Sequence, residues 1–287
     1  MRVAFDMETR DPDDALTLCL LAGHPGVRLA AVTVNPGTPA QVAVVREILA
    51  RLGADVPVGA RVADSPRDDV SPFHREWLGD LTAARADAVA HELLAQVLDE
   101  DTVLVTGAPL HNLRLLLNNH PAVEVRRWVA QGGFAGDNVV PPADRLPKFA
   151  GATTQESYNF GHDSKAALLA LSSPRIRERR LVAKNVTHGV AWDPALQRRL
   201  LDERDDLTPG ARLAVEAMEV YLRERPEGKL LHDPLAAAAA LDPAAFRWAE
   251  VEVYREQGRW GSRPRAGSNM YVSTAVDADR ALRTLMW

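Results

Sequence analysis

Cysteine is almost missing from this chain: Cys19 stands alone among 287 residues, so no internal disulfide can form and a reducing cytoplasm is the natural setting. It lies within an apolar run, where a packed core thiol is the expected role. No uninterrupted apolar stretch approaches the roughly eighteen residues that a membrane helix needs, and no basic segment precedes a long apolar one at the N-terminus. Membrane spanning and secretion are therefore disfavoured. Positive charge is not in excess either: the formal net charge of −5 argues against a nucleic-acid surface, because phosphate binding needs a basic patch. Among what is present, 46% hydrophobic and 25% charged residues suffice to bury one large core, and residues 1–287 read as a single domain.

Short apolar runs alternate with segments of helical character, which predicts an α/β fold with a mostly parallel central sheet flanked by helices. Strands are expected at 2–6, 28–34, 56–59, 102–106, 127–131 and 181–186, and helices at 14–22, 40–52, 86–98, 110–118, 163–171 and 209–225. Two later strands, 248–254 and 270–274, are expected as an antiparallel addition before a last helix from Asp277. Residues 61–85, 134–155 and 255–269, rich in Pro, Gly, Arg or Asp, interrupt the alternation, and long loops in compact domains commonly serve function. In open parallel sheets the ligand crevice lies at the carboxyl ends of the strands, where Asp6, Asn35, Thr106 and Gly132 fall.

The first of those ends is crowded with acid. Asp6, Glu8, Asp11, Asp13 and Asp14 all fall in FDMETRDPDD, immediately before the apolar helix ALTLCLLAG. A strand-to-helix turn of this kind is a typical place to fix a cation, and a solvated acidic loop is the plainer alternative. Far along the chain, KLLHDPLAAAAAL puts His232 and Asp233 at the head of a second apolar helix. Such an Asp can serve as a simple helix cap. A hard divalent cation, however, needs several oxygen ligands, which the two acidic turns supply together if they meet at one edge of the sheet.

These two segments, with VLVTGAPLHNL (103–113), QGGFAGDN (131–138) and ESYNFGHDSKAA (156–167) between them, resemble the inosine-uridine nucleoside hydrolase family in order along nearly the whole chain. That family reads DxDxxxDD in its first acidic turn, binds calcium through a backbone carbonyl before a GPLTN-like stretch, and adds a late HDxL aspartate. The resemblance implies Ca²⁺-dependent hydrolysis of the N-glycosidic bond of a ribonucleoside or related N-riboside, giving ribose and free base, in a homodimer or homotetramer. Two departures mark a divergent branch: the first turn has one extra residue, a glutamate at position 8 and no glycine, and ESYN is one residue longer than the family's ExN triplet. Glu8 is preferred as the inner carboxylate because it keeps the strand register from Val3 through Asp6, with Asp11 as the alternative.

On the family's pattern Glu8, Asp14, Asp233 and the Thr106 carbonyl hold the ion, Asp13 points at ribose hydroxyls, and Asn35, Asn138, Glu156 and Asn159 offer further sugar contacts. Hydrolysis needs a water made nucleophilic and a way for the base to leave; Glu8 takes the water's proton and His232 assists the base, or else His232 only orients Asp233. His74, His162 and His188 are weaker candidates. Trp77, Trp260, Tyr158 and Phe160 lie where a ring can cover a base, although core packing is the commoner fate of such residues. Two other readings compete. A haloacid dehalogenase-type phosphohydrolase also uses an acidic first turn, but Lys148, Lys165 and Lys184 lie in no convincing strand-end setting and HDPLA has no place in it. The other is a homologue that binds a nucleoside or sugar without turnover.

Overall fold

The computed structural model describes residues 1–61 and 68–287, so 62–67, inside the first irregular stretch, lie outside the described residues. The first half alternates strand and helix: β1 (Arg2–Met7), α1 (Pro12–Ala22), β2 (Arg28–Val34), α2 (Pro39–Arg51), β3 (Val58–Ala60), α3 (Pro72–Leu78), β4 (Ala88–Val89), α4 (Ala90–Val97), β5 (Thr102–Thr106), α5 (His111–Asn119) and β6 (Val125–Gln131). There follow β7 (Thr154–Gln155), α6 (Tyr158–His162), α7 (Ser164–Ser172), β8 (Ile176–Val182), α8 (Lys184–Thr187), β9 (Ala191–Trp192), α9 (Pro194–Asp202), α10 (Pro209–Glu224), β10 (Lys229–Leu230) and α11 (His232–Leu241). A hairpin of β11 (Phe246–Glu256) and β12 (Arg259–Pro264), then β13 (Met270–Val276) and α12 (Ala278–Met286), complete the chain.

Helix starts are written locally. Asp11, Thr38, Asp193 and Thr208 each accept a backbone N–H of the first turn, and each is followed by a proline, which loses nothing at a position whose N–H has no helical partner. Thr38 and Gln41 bond reciprocally as a capping box. These prolines also start α1 and α2 one or two residues before the apolar runs that mark them in the sequence.

One sheet of eleven strands runs in the order β4-β3-β2-β1-β5-β6-β8-β13-β11-β12-β7. From β4 through β13 neighbouring strands are parallel, and β11, β12 and β7 add an antiparallel edge. The sequence had placed both late strands in that edge; instead β13 pairs parallel with β8, Met270 beside Arg179, and only β11 turns back. Two further expectations are corrected. The strand expected at 181–186 lies earlier, at 176–182, with α8 following it, because the arginine-rich stretch is an interior strand, where buried Arg179 donates to the carbonyls of Ala170 and Ser173. Residues 255–269 are not irregular throughout, because Gln257 (φ 48°) and Gly258 (φ 82°) form the two-residue positive-φ turn that joins β11 to β12.

The chain builds outward from β1 to β4 on one side, then returns to lay β5 against the other flank of β1. This reversal opens a crevice at the carboxyl ends of β1 and β5, where Asp6 pairs with Thr106. The face carrying α1, α2, α10, α11 and α12 holds one apolar core, and that carrying α4, α5 and α7 the other. Cys19 is fully buried in the first, and burial pushes its thiol up and keeps it inert. Five buried alanines, Ala236–Ala240, let α11 lie close over the sheet.

Glycine sets the contact between α1 and α10. A Cβ on Gly210 would stand 2.0 Å from the Cys19 carbonyl oxygen, and one on Gly23 2.2 Å from the Gly210 nitrogen. Gly210→Ala is therefore expected to lower the unfolding free energy by about 1–3 kcal/mol in urea titrations, whereas Gly161→Ala, whose Cβ would meet nothing within 4 Å, leaves the midpoint in place. Equal behaviour of the two would show that the helices separate freely.

Candidate active site

The acidic turn divides its carboxylates among different tasks. Asp6 points back into the sheet, accepting from Thr33 Oγ1 at 2.6 Å and Asn112 Nδ2 at 2.7 Å. Asp11 caps α1 and pairs with Lys229 Nζ at 2.8 Å. Glu8 is buried at the turn, its carboxylate accepting the Arg10 N–H at 2.6 Å while its own N–H donates to Asp14 Oδ1 at 3.3 Å. Asp13 reaches across to α11: its Oδ2 accepts the N–H groups of His232 at 3.1 Å and Asp233 at 3.2 Å, and its Oδ1 lies 3.4 Å from Lys229 Nζ. The two acidic segments thus meet.

Carboxylate oxygens of Asp13, Asp14 and Asp233 lie within 4.8 Å of one another, and all three side chains are buried. Two like charges about 4 Å apart repel by about 4 kcal/mol at an effective dielectric of 20. Burial, and then the neighbouring carboxylates, accordingly hold Asp14 and Asp233 well above the usual carboxylate range. Burial also drives Glu8 up to about 7, with Asp11 and Asp13 adding to the shift against the Arg10 N–H. Asp233 Oδ1 is buried and has no hydrogen-bond partner among the described residues. Gly107, just past β5, completes the cradle, since a Cβ there would stand 2.6 Å from Asp14 Oδ1 and 2.9 Å from Asp233 Oδ1. An all-oxygen donor set with one orphaned buried oxygen and bare backbone beside it fits a hard divalent cation.

These groups open into a pocket of about 400 Å³. Of the acidic-turn, HDPLA and sugar-contact residues singled out in the sequence, Glu8, Asp11, Asp13, Asp14, Asn159, His232 and Asp233 line it. Asn159 donates to the Gly107 carbonyl at 2.7 Å and to Gln131 Oε1 at 2.8 Å. The His232 ring nitrogen Nδ1 is 2.7 Å from Thr187 Oγ1, and burial, then Lys229, lowers the ring to about 4, so it is neutral at pH 7. Thr106 is buried at the end of β5 with its hydroxyl accepting from the Trp128 indole N–H at 3.0 Å.

Thr106 is outside the lining, and so are Asn35, Asn138 and Glu156. Asn35 gives its amide to the Pro109 carbonyl at 3.1 Å, Asn138 gives its own to the Ser262 carbonyl at 2.7 Å, and Glu156 is exposed. Among the aromatics only Tyr158 reaches the pocket; Trp77, Trp260 and Phe160 are core residues, and His74 is buried against Ser71. Sequence reasoning missed Arg10, Gln131 and Lys229, which line the pocket or grip its acids, set Lys184 aside for want of a strand-end setting, and ranked His188, also in the lining, too low. Lys184 does follow a strand end, that of β8. The signal available for Lys229 was its place three residues before His232.

A family model described as inosine-uridine preferring nucleoside hydrolase matches residues 3–283. A protein of Aquifex aeolicus (strain VF5) is 30% identical over 292 aligned residues, covering 98% of this chain and 96% of its own. The pyrimidine-specific ribonucleoside hydrolase RihA of Enterobacter sp. (strain 638) is 28% identical over 280 residues, 86% of this chain and 82% of that protein. Among solved structures, the plant nucleoside hydrolase PpNRh1 superposes with a TM-score of 0.74 at 22% identity, covering 99% of this chain and 97% of that one. The inosine-uridine preferring nucleoside hydrolase of Bacillus anthracis gives 0.71 at 21% identity, with coverages of 99% and 97%. At those identities the likeness shows the fold.

The cradle at Gly107 is directly testable. Gly107→Ala forces the Asp14 and Asp233 carboxylates aside while leaving the sheet untouched, so a protein with unchanged far-ultraviolet circular dichroism should lose at least about tenfold in Ca²⁺ affinity by calorimetry, a cost of about 1.4 kcal/mol. Undiminished affinity would place any ion away from this cradle.

Proposed function

This chain belongs to the inosine-uridine preferring nucleoside hydrolase family, whose members act on N-glycosyl bonds, and from that premise we propose that its pocket hydrolyses the N-glycosidic bond of a ribonucleoside or related N-riboside with one bound Ca²⁺. The observation that carries the reading is the convergence of Asp13, Asp14 and Asp233 within 4.8 Å at the mouth of the crevice between β1 and β5. Asp14, Asp233, Glu8 and the Thr106 carbonyl are the proposed ligands. A bound Ca²⁺ supplies positive charge that acidifies and orients a water.

This chain's own groups divide the remaining work. Glu8, buried and raised to about 7, accepts the water's proton. Asp13 and Asn159 hold the vicinal ribose hydroxyls, which both donate and accept. The acidic floor favours positive charge as it builds on the anomeric carbon. His232, neutral and with Nδ1 beside the Thr187 hydroxyl, presents its other nitrogen to the departing base. Asn35, Asn138 and Glu156 lie outside the pocket lining that includes Asn159, and no ribose contact is assigned to them. Asp11 is engaged with the α1 terminus and Lys229, which supports Glu8 as the inner carboxylate despite the extra residue in the turn. A dimer or tetramer and a cytoplasmic setting belong to the same proposal, resting on family resemblance and on the lone Cys19.

The test is turnover with the two candidate bases exchanged in turn. With Ca²⁺, the wild type should release ribose from inosine, uridine or 4-nitrophenyl riboside. Glu8→Gln should keep the ion, because an amide oxygen still coordinates, yet lose about 10²-fold or more in kcat, and Asp11→Asn should act mildly. Loss of activity in Asp11→Asn with an active Glu8→Gln would reassign the base. No hydrolysis of any riboside by the wild type would leave a nucleoside-binding homologue.

A further inference from the structure

Charge is divided across this pocket. The acids and Lys229 occupy one end; the wall beside His232 carries cations. Lys184, half-buried just past β8, lines that wall together with His188. The His188 ring packs edge-on against His232 with centroids 5.2 Å apart, and its Nδ1 lies 2.7 Å from Lys148 Nζ. Burial, and then His232, Lys148, Lys184 and Lys229, push His188 down to about 3, so it is a neutral acceptor for the Lys148 ammonium. Among the described residues Lys229 is the one lysine in an ion pair. Exposed Glu156 is the acid whose field reaches Lys184, and Lys148 and Arg259 oppose it.

A chain of net charge −5 therefore sets Lys184 in the wall where the leaving base is proposed to sit, with exposed Lys148 behind it on His188, and among the described residues neither lysine has an ion-pair partner. A neutral base closing that wall would desolvate the Lys184 ammonium and return only a neutral acceptor, a cost that a carboxylate on the base would reverse through charge-assisted hydrogen bonds. We propose that Lys184 and Lys148 select ribosides whose leaving base carries an anionic substituent, a ring carboxylate being the simplest. This rests on the hydrolase reading of the pocket. The reaction is unchanged: the C1′–N bond breaks with its electron pair on the base, the water oxygen bonds C1′, and the base leaves with one proton in place of the sugar.

The substituent is tested by comparing 5-carboxyuridine with uridine. The wild type should prefer the carboxylated riboside by about tenfold or more in kcat/KM, about 1.4 kcal/mol, and Lys184→Met with Lys148→Met should bring the ratio to about one. Lys184→Arg should keep the preference, and Lys148→Met alone, at an exposed site, should lose part of it. A wild-type ratio of one or below overturns the proposal, as does a proportional loss on both substrates, which would mean that the lysines only ease departure of any base. Preference for uridine 5′-monophosphate would put the anion on the ribose and overturn it equally. Should no riboside be hydrolysed, including 4-nitrophenyl riboside, the hydrolase reading fails by itself. Calorimetry of 5-carboxyuracil against uracil still decides the selectivity: about tenfold tighter binding of the acid, lost in the double variant, upholds it, and equal binding overturns it.

Discussion

Buried carboxylates repel unless positive charge is set between them, and this fold is arranged around meeting that condition. Three sources are aimed at the acidic floor. The N-termini of α1 and α11 bring backbone N–H groups, those of α11 donating to Asp13 from 219 and 220 residues away in the chain. Lys229 neutralises Asp11 and Asp13. Neither reaches the orphaned oxygen of Asp233, and the proposed cation between Asp14 and Asp233 would supply what is left.

The sheet makes that convergence possible. Reversal of strand order between β1 and β5 leaves a gap that no crossover helix fills, and α1 and Gly107 enter it from adjacent strands. The third contributor, α11, packs across β5, β6 and β8 with Leu235 and the five alanines Ala236–Ala240 buried, which brings its N-terminus level with the acidic turn. A bulkier face on that helix would lift Asp233 off the site. Stability and chemistry therefore share the same packing, and the glycine contact between α1 and α10 fixes the helix that carries Asp13 and Asp14.

The alternation of strand and helix, the acidic turn and the HDPLA helix start were legible because each is local: continuous apolar runs, carboxylates at a strand end, a polar pair before alanines. The parts that escaped depend on partners distant in sequence. The stretch RIRERRL looks like surface until Arg179 is seen satisfied by carbonyls at the end of α7. Asn35 and Asn138 have the right chemistry for a sugar, but their amides are taken by Pro109 and Ser262, a choice that only tertiary contact makes. Lys184 and Lys229 look like ordinary charged residues in the sequence and become pocket groups when β8 and β10 deliver them. The extra residue in the first turn reads as an irregularity until Asp11 is found paired with Lys229.

One measurement bears on the central claim, a cation shared by Asp14 and Asp233, more directly than any other: thermal unfolding of chelator-treated protein as Ca²⁺ is added, alongside the metal content of the untreated protein. An ion that binds the folded state alone should raise stability by about 2.7 kcal/mol at a hundred times its Kd, with close to one equivalent of tightly held Ca²⁺ per chain. A melting temperature indifferent to Ca²⁺, in a protein that neither contains nor takes up a divalent ion, would contradict the account.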